Sequence, residues 1–130
     1  MKDQAPGGPE SLDCVELRDF VRLFERGEFF ASHEVLEARW LATRDPFERG
    51  LIIYAAAFVK RDRGNPRGTR RHLEKALRYF APYPPSHRGI DVVGLRAHAE
   101  AGIERLLAQP EASPQILLTP PRLLAGPASL

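Results

Sequence analysis

Apolar residues recur at helical spacing in five stretches of this 130-residue chain, and glycine or proline separates one stretch from the next. The first predicted helix runs from Leu12 to Arg26, with Ser11 or Asp13 as cap and Val15, Leu17, Phe20, Val21, Leu23 and Phe24 along a broad apolar side. Gly27 closes it in the left-handed conformation common at helix ends. A second helix spans Glu28 to Thr43. Asp45-Pro46, a capping carboxylate followed by proline at the first helical position, opens a third that runs to Arg63. Its middle, Leu51 to Val59, is apolar all round, which marks it as the central helix, and Gly50 with the alanines lets neighbours come close. Gly64-Asn65-Pro66 repeats the stop-and-restart pattern, and the fourth helix extends from Pro66 to Phe80. Ala81 to Asp91, with Pro82, Pro84, Pro85 and Gly89, reads as a loop. Asp91 then caps a fifth helix whose buried stripe is Val92, Leu95, Ala99, Ile103 and Leu106.

The predicted fold class is all-α, a single compact bundle of about five helices without a strand pair. It is built from two helix-turn-helix hairpins plus a C-terminal helix. Residues 1–10 read as a disordered N-terminus, 11–108 as the helical bundle domain and 109–130 as a proline-rich tail whose leucines suit docking on that domain. Arg26-Gly27 with Leu36-Glu37 recurs as Arg63-Gly64 with Leu73-Glu74, an offset of 37 residues. Two copies make a pair of related hairpins rather than a solenoid.

Pattern and polarity conflict in the second helix. At about 100° per residue, Phe29, Trp40, His33, Glu37, Phe30 and Leu41 share one arc. A histidine and a glutamate one turn apart thereby fall on the predicted apolar face, and Ser32 falls off it. Such a pair presents two metal ligands on one helical face, with His72 on the fourth helix as a further candidate ligand and His98 on the fifth. His-Glu-x-x-Glu lacks the second histidine of the metalloprotease motif, however, and no nucleophile accompanies it. The plainer expectation is a buried polar network: Glu37 paired with Arg70 or Arg71, His33 bonded within it and Trp40 alongside. His33, Glu37, Trp40, Arg70 and Arg71 form the candidate polar site, with no catalytic residue, resident metal or cofactor assigned.

Composition changes this picture little, at 43% hydrophobic and 28% charged, as in ordinary globular domains. No apolar run approaches the roughly 20 residues of a membrane span, and Met1 to Pro9 lacks an apolar signal core, so the expected setting is cytoplasmic. A lone Cys14 leaves no internal disulfide to form. Charge distribution matters more. Residues 1–50 carry seven Lys/Arg against eleven Asp/Glu, whereas residues 60–78 carry eight against two. Oppositely charged halves folding against each other is the favoured reading. The other is nucleic acid, with Arg63, Arg67 and Arg71 as candidate contacts, although the cations read as spread around the helices and Tyr79 is the nearby aromatic.

The run Arg26-Gly27-Glu28-Phe29-Phe30-Ala31-Ser32-His33-Glu34-Val35-Leu36-Glu37-Ala38-Arg39-Trp40 resembles domain of unknown function 309. So do Pro46-Phe47, Gly50-Leu51-Ile52, Arg63-Gly64-Asn65, Arg67-Gly68 and Leu73 to Leu77, the resemblance covering roughly residues 16–107. It implies a compact bundle of about five helices and supplies no activity. Ile53 and Phe58 to Lys60 stand where that family often places glutamine, and histidine or another polar residue. Together these readings lead to a non-enzymatic module acting on a protein partner or by self-association. Metal or acid–base chemistry at His33 and Glu37, and nucleic-acid binding, are the alternatives.

Overall fold

The computed structural model describes residues 12–125, so the expectations placed on residues 1–11 lie outside it. Five long helices follow in order: α1 (Val15–Glu25), α2 (Phe29–Thr43), α3 (Pro46–Asp62), α4 (Pro66–Phe80) and α5 (Val92–Ala108). A short α6 (Pro114–Leu117) lies beyond them. The chain is an all-α bundle, and no described helix is long and apolar enough to cross a membrane.

The punctuation residues act as their chemistry dictates. Gly27 and Gly64 both take positive φ, at 81° and 70°. Each closes its helix with the same pair of backbone bonds: Gly27 N to Phe24 O and Glu28 N to Leu23 O, then Gly64 N to Arg61 O and Asn65 N to Lys60 O. Asp45 accepts from Phe47 N at 3.0 Å and Asn65 from Gly68 N at 2.8 Å, so both proline-led helices carry side-chain caps. The cap of α1 differs from expectation. Cys14 occupies that position without a side-chain cap bond, because Asp13 turns to Arg88 instead.

Central placement of α3 follows from its uniform apolarity. Phe47, Leu51, Tyr54 and Phe58 are fully buried, and α2 and α4 pack along it. A Cβ on Gly50 would lie 2.9 Å from a ring carbon of Phe80 and 3.0 Å from Cβ of Tyr79, so glycine sets the close approach of α3 to α4. The 37-residue offset also joins buried pairs: Leu36 with Leu73, and Ser32 with Thr69. Both hydroxyls donate back to the preceding turn, to Phe29 O and Asn65 O, each at 2.7 Å. Internal bonding of this kind lets a polar residue enter a core.

The segment before α5 departs from a plain loop. Ser86–His87 (β1) and Ile90–Asp91 (β2) pair antiparallel around Arg88-Gly89, both at positive φ (51° and 83°), the signature of a tight hairpin turn. The tail docks beside it: Asp91 N donates to Leu123 O and Ala125 N to Gly89 O, each at 2.9 Å. Upstream, three consecutive tail carbonyls are held by side chains of the bundle. Arg105 Nε donates to Leu117 O (2.7 Å), Arg61 Nη1 to Leu118 O (3.0 Å) and His98 Nε2 to Thr119 O (2.5 Å). Leu118 is buried against Gly102, where a Cβ would stand 2.6 Å from its methyl.

Candidate functional site

The buried polar network anticipated at Glu37 exists at Glu48. Glu48 lies in the first turn of α3 with its side chain 1% exposed. Its Oε1 accepts from Thr43 Oγ1 at 2.7 Å, and its Oε2 from Arg39 Nε at 2.8 Å and Arg88 Nη1 at 3.0 Å. Arg88 also donates to Asp45 Oδ2 (2.7 Å) and grips both carboxylate oxygens of Asp13, at 2.7 and 3.0 Å. One guanidinium thereby ties the start of α1, the start of α3 and the β1–β2 turn, while Arg39 brings in α2. Burial would push the Glu48 carboxyl up, but the bonds from Arg39, Thr43 and Arg88 outweigh it and hold its pKa below the ordinary value. The Arg88 hydrogen bond likewise lowers Asp13. Both oxygens of Glu48 accept from protein donors, so the network fixes how four elements meet.

The α2 wheel expected from sequence is rotated in the structure. Its buried line is Phe29, Ser32 and Leu36. Glu37 has a side chain 40% exposed and His33 one 23% exposed, with 3.8 Å between His33 Nε2 and Glu37 Oε1. An exposed carboxylate needs no buried arginine, and none reaches it. Arg70 bonds Glu74 at 2.9 Å, and Arg71 is exposed. Trp40 lies beneath the guanidiniums of Arg44 and Arg49, at 4.6 and 4.7 Å from its ring centre, a cation–π arrangement. Among the five residues of the expected polar site, the structure therefore brings together His33 and Glu37 alone.

His72 does not join them. Its Nδ1 lies 2.9 Å from Gly68 O within its own helix. His98 finds a different partner, Tyr54 of α3, with Tyr54 Oη 2.7 Å from Nδ1. Thr119 O can only accept, so His98 Nε2 carries the proton and Nδ1 accepts from the tyrosine. Burial raises the Tyr54 pKa well above its ordinary value, keeping that donor protonated, and lowers that of His98 against the opposing Thr119 bond. Among the described residues, no three His, Cys, Asp or Glu side chains gather closely enough to hold a metal ion.

The cations of α4 do not fold against the acidic half. The main neighbours of α4 are α3 and α5, not α1 or α2. Ion pairs spanning distant parts of the chain go instead to Arg39 and Arg88. Nor are the cations spread around α4. Thr69, Leu73, Ala76 and Phe80 form its buried stripe, and Arg67, Arg71, Lys75 and Arg78, all exposed, run along the opposite side. Arg63 stands apart from this row, in a cleft with Glu28 and Asp62.

Glu48, Arg39 and Arg88 were not apparent as a set in the sequence. Asp45 reads as the cap ahead of Pro46, Glu48 carries no reading of its own, and Arg88 falls in a segment that reads as a plain loop.

Residues 17–72 match the model of a family described as Domain of unknown function (DUF309). The chain is also 32% identical over 94 residues to an uncharacterized protein of Aquifex aeolicus, a match covering 69% of this chain and 28% of that protein. The chain thus spans little more than a quarter of that relative's length. The matched segment runs from α1 into α4 and contains both glycine-closed turns, Trp40 and Glu48, so it is through residues 17–72 that the chain is similar to the DUF309 family.

Proposed function

We propose that this chain is a non-enzymatic interaction module that binds a polypeptide other than itself through the outer face of α2. The observation that carries the reading is the exposure of Phe30 (53%) and Leu41 (58%) on one side of that helix. They are eleven residues apart, about three turns and roughly 16 Å along the axis. Glu34 and Glu37 lie between them on the same side. Apolar anchors at such spacing are how a helix engages a groove in a partner. A two-fold antiparallel pairing of this face would oppose Phe30 with Leu41 of a second copy, but it would also set carboxylates against carboxylates at the axis. That repulsion disfavours self-association and favours a partner with a cationic centre. The match of the chain to part of a much longer relative accords with a module that is also joined to other segments.

The test replaces Phe30 with a photo-crosslinking benzoylphenylalanine in the full chain, with irradiation in the host cell. The expected result is a discrete adduct with a different polypeptide, lost when Leu41→Asp is added. An adduct formed solely with a second copy, or one indifferent to Leu41→Asp, overturns the reading.

A further inference from the structure

We infer that the outer face of α4 is a binding surface for double-stranded nucleic acid, contacted through its phosphates. Arg67, Arg71, Lys75 and Arg78 follow one another at four, four and three residues, which places them within about 80° of arc. They form a straight row about 16 Å long, centred opposite the residues α4 buries. All four are exposed. The ion pairs of α4 are made elsewhere: Glu74, the acid nearest the row, is taken by Arg70 at 2.9 Å. The row is therefore four cations without an acidic counterpart among the described residues, on a helix whose apolar side is committed to the core.

That last feature selects the partner. A basic amphipathic helix that binds a membrane surface inserts its apolar side, and here Leu73 and Phe80 are fully buried in the bundle. Single-stranded nucleic acid is held largely by bases stacked on aromatic side chains, and the row contains none. Tyr79, the neighbouring aromatic, is half-buried against the core. A duplex needs no such platform, since it presents about one phosphate charge per 1.7 Å of axis. Three of the four cations are arginine, whose fork matches phosphate oxygens. Positive charge is also concentrated here: α4 carries five Lys/Arg against one Asp/Glu, whereas residues 15–44, which contain α1 and α2, carry five against six. A polyanion approaching the molecule is turned toward the α4 side.

The experiment measures fluorescence anisotropy of a labelled 20-base-pair duplex of mixed sequence with the full chain, from 50 to 200 mM NaCl. Four phosphate contacts predict a log–log salt slope of about −3.6, or about a hundred-fold loss of affinity across that range. Arg71→Gln with Arg78→Gln should halve the slope, leaving a loss of about ten-fold. Arg26→Gln with Arg122→Gln removes the same charge from exposed positions off the row and should leave the slope unchanged. Absence of binding at 50 mM, or equal losses from the two double variants, overturns the proposal. So does tighter binding to either single strand. Displacement of the duplex by polyglutamate, or by phosphatidylserine vesicles, at matched charge would assign the row to an acidic protein or a lipid surface instead.

Discussion

Glu48 and Glu37 each sit within reach of a cationic or titratable neighbour, and they answer to different physics. Glu48 is sealed among Arg39, Arg88 and Thr43, with bonds of 2.7 to 3.0 Å to both its oxygens. Glu37 faces His33 at 3.8 Å with much of its side chain in water. Removing one partner of a buried pair strands the others, whereas a surface pair is screened and already competes with solvent. The contrast shows where a small bundle keeps its internal charge. It lies where helix ends and a turn converge, and not along the side of one helix.

Deleting the two carboxylates should have very different costs. Glu48→Ala should cost about 3–5 kcal/mol, because Arg39 and Arg88 lose a buried counterion. Glu37→Ala should change stability by less than about 0.5 kcal/mol. Urea unfolding of both variants measures the difference, and similar small values would mean that Glu48 is not the keystone of the junction. A smaller effect is expected from coupling. A double-mutant cycle on Glu48 and Arg88 should return between about 0.5 and 3 kcal/mol, while one on His33 and Glu37 should fall within a few tenths of zero. For Arg88 the substitution of choice is Arg88→Gly, which keeps the positive-φ turn while removing the guanidinium.

Acidification separates the sites more gently. The native pKa of His98 is lowered by burial, so the unfolded chain binds the proton first. Its contribution is complete above the ordinary histidine value of about 6.5 and is lost as pH falls from there through the native value. Glu48 and Asp13 are lowered as well, so their contribution is complete above the ordinary carboxylate range near 4 and fades below it. Stability measured from pH 7 downward should therefore decline in two limbs, and His98→Asn should remove the upper limb alone.

Much of the architecture was legible because it rests on local chemistry. Asp45-Pro46 and Asn65-Pro66 start helices by capping and by a preset φ, and Gly27 and Gly64 end them by tolerating positive φ. None of these depends on what lies across the fold. The rotation of α2 was not legible. Phe30, Trp40 and Leu41 pull an apolar wheel toward themselves, while the position that enters the core is Ser32, whose hydroxyl is satisfied by Phe29 O. Hydropathy cannot register a polar group made buriable by its own helix. The Arg88 junction was hidden for a related reason, since Asp13, Asp45, Glu48 and Arg88 are joined across up to 75 positions of chain. The hairpin carries two residues per strand and an Arg-Gly turn, too little alternation to be read as β structure. On α4 the opposite held: Thr69, Leu73, Ala76 and Phe80 stand at helical spacing in the sequence itself, and the structure shows Arg67, Arg71, Lys75 and Arg78 aligned opposite them.

The grip on the tail has a consequence in time. His98 and Arg105 receive their carbonyl partners 21 and 12 residues later in the chain, and Arg61 waits 57 residues for Leu118. At a synthesis rate of roughly 5–20 residues per second, Arg61 is made some 3 to 11 seconds before the backbone oxygen it will hold. Until the tail is made, Arg61, His98 and Arg105 lack these carbonyl partners, and Gly102 leaves a groove that Leu118 has yet to fill. The carbonyls of Leu117, Leu118 and Thr119 are thus the last of these partners to be made, each for a side chain that precedes it in the chain.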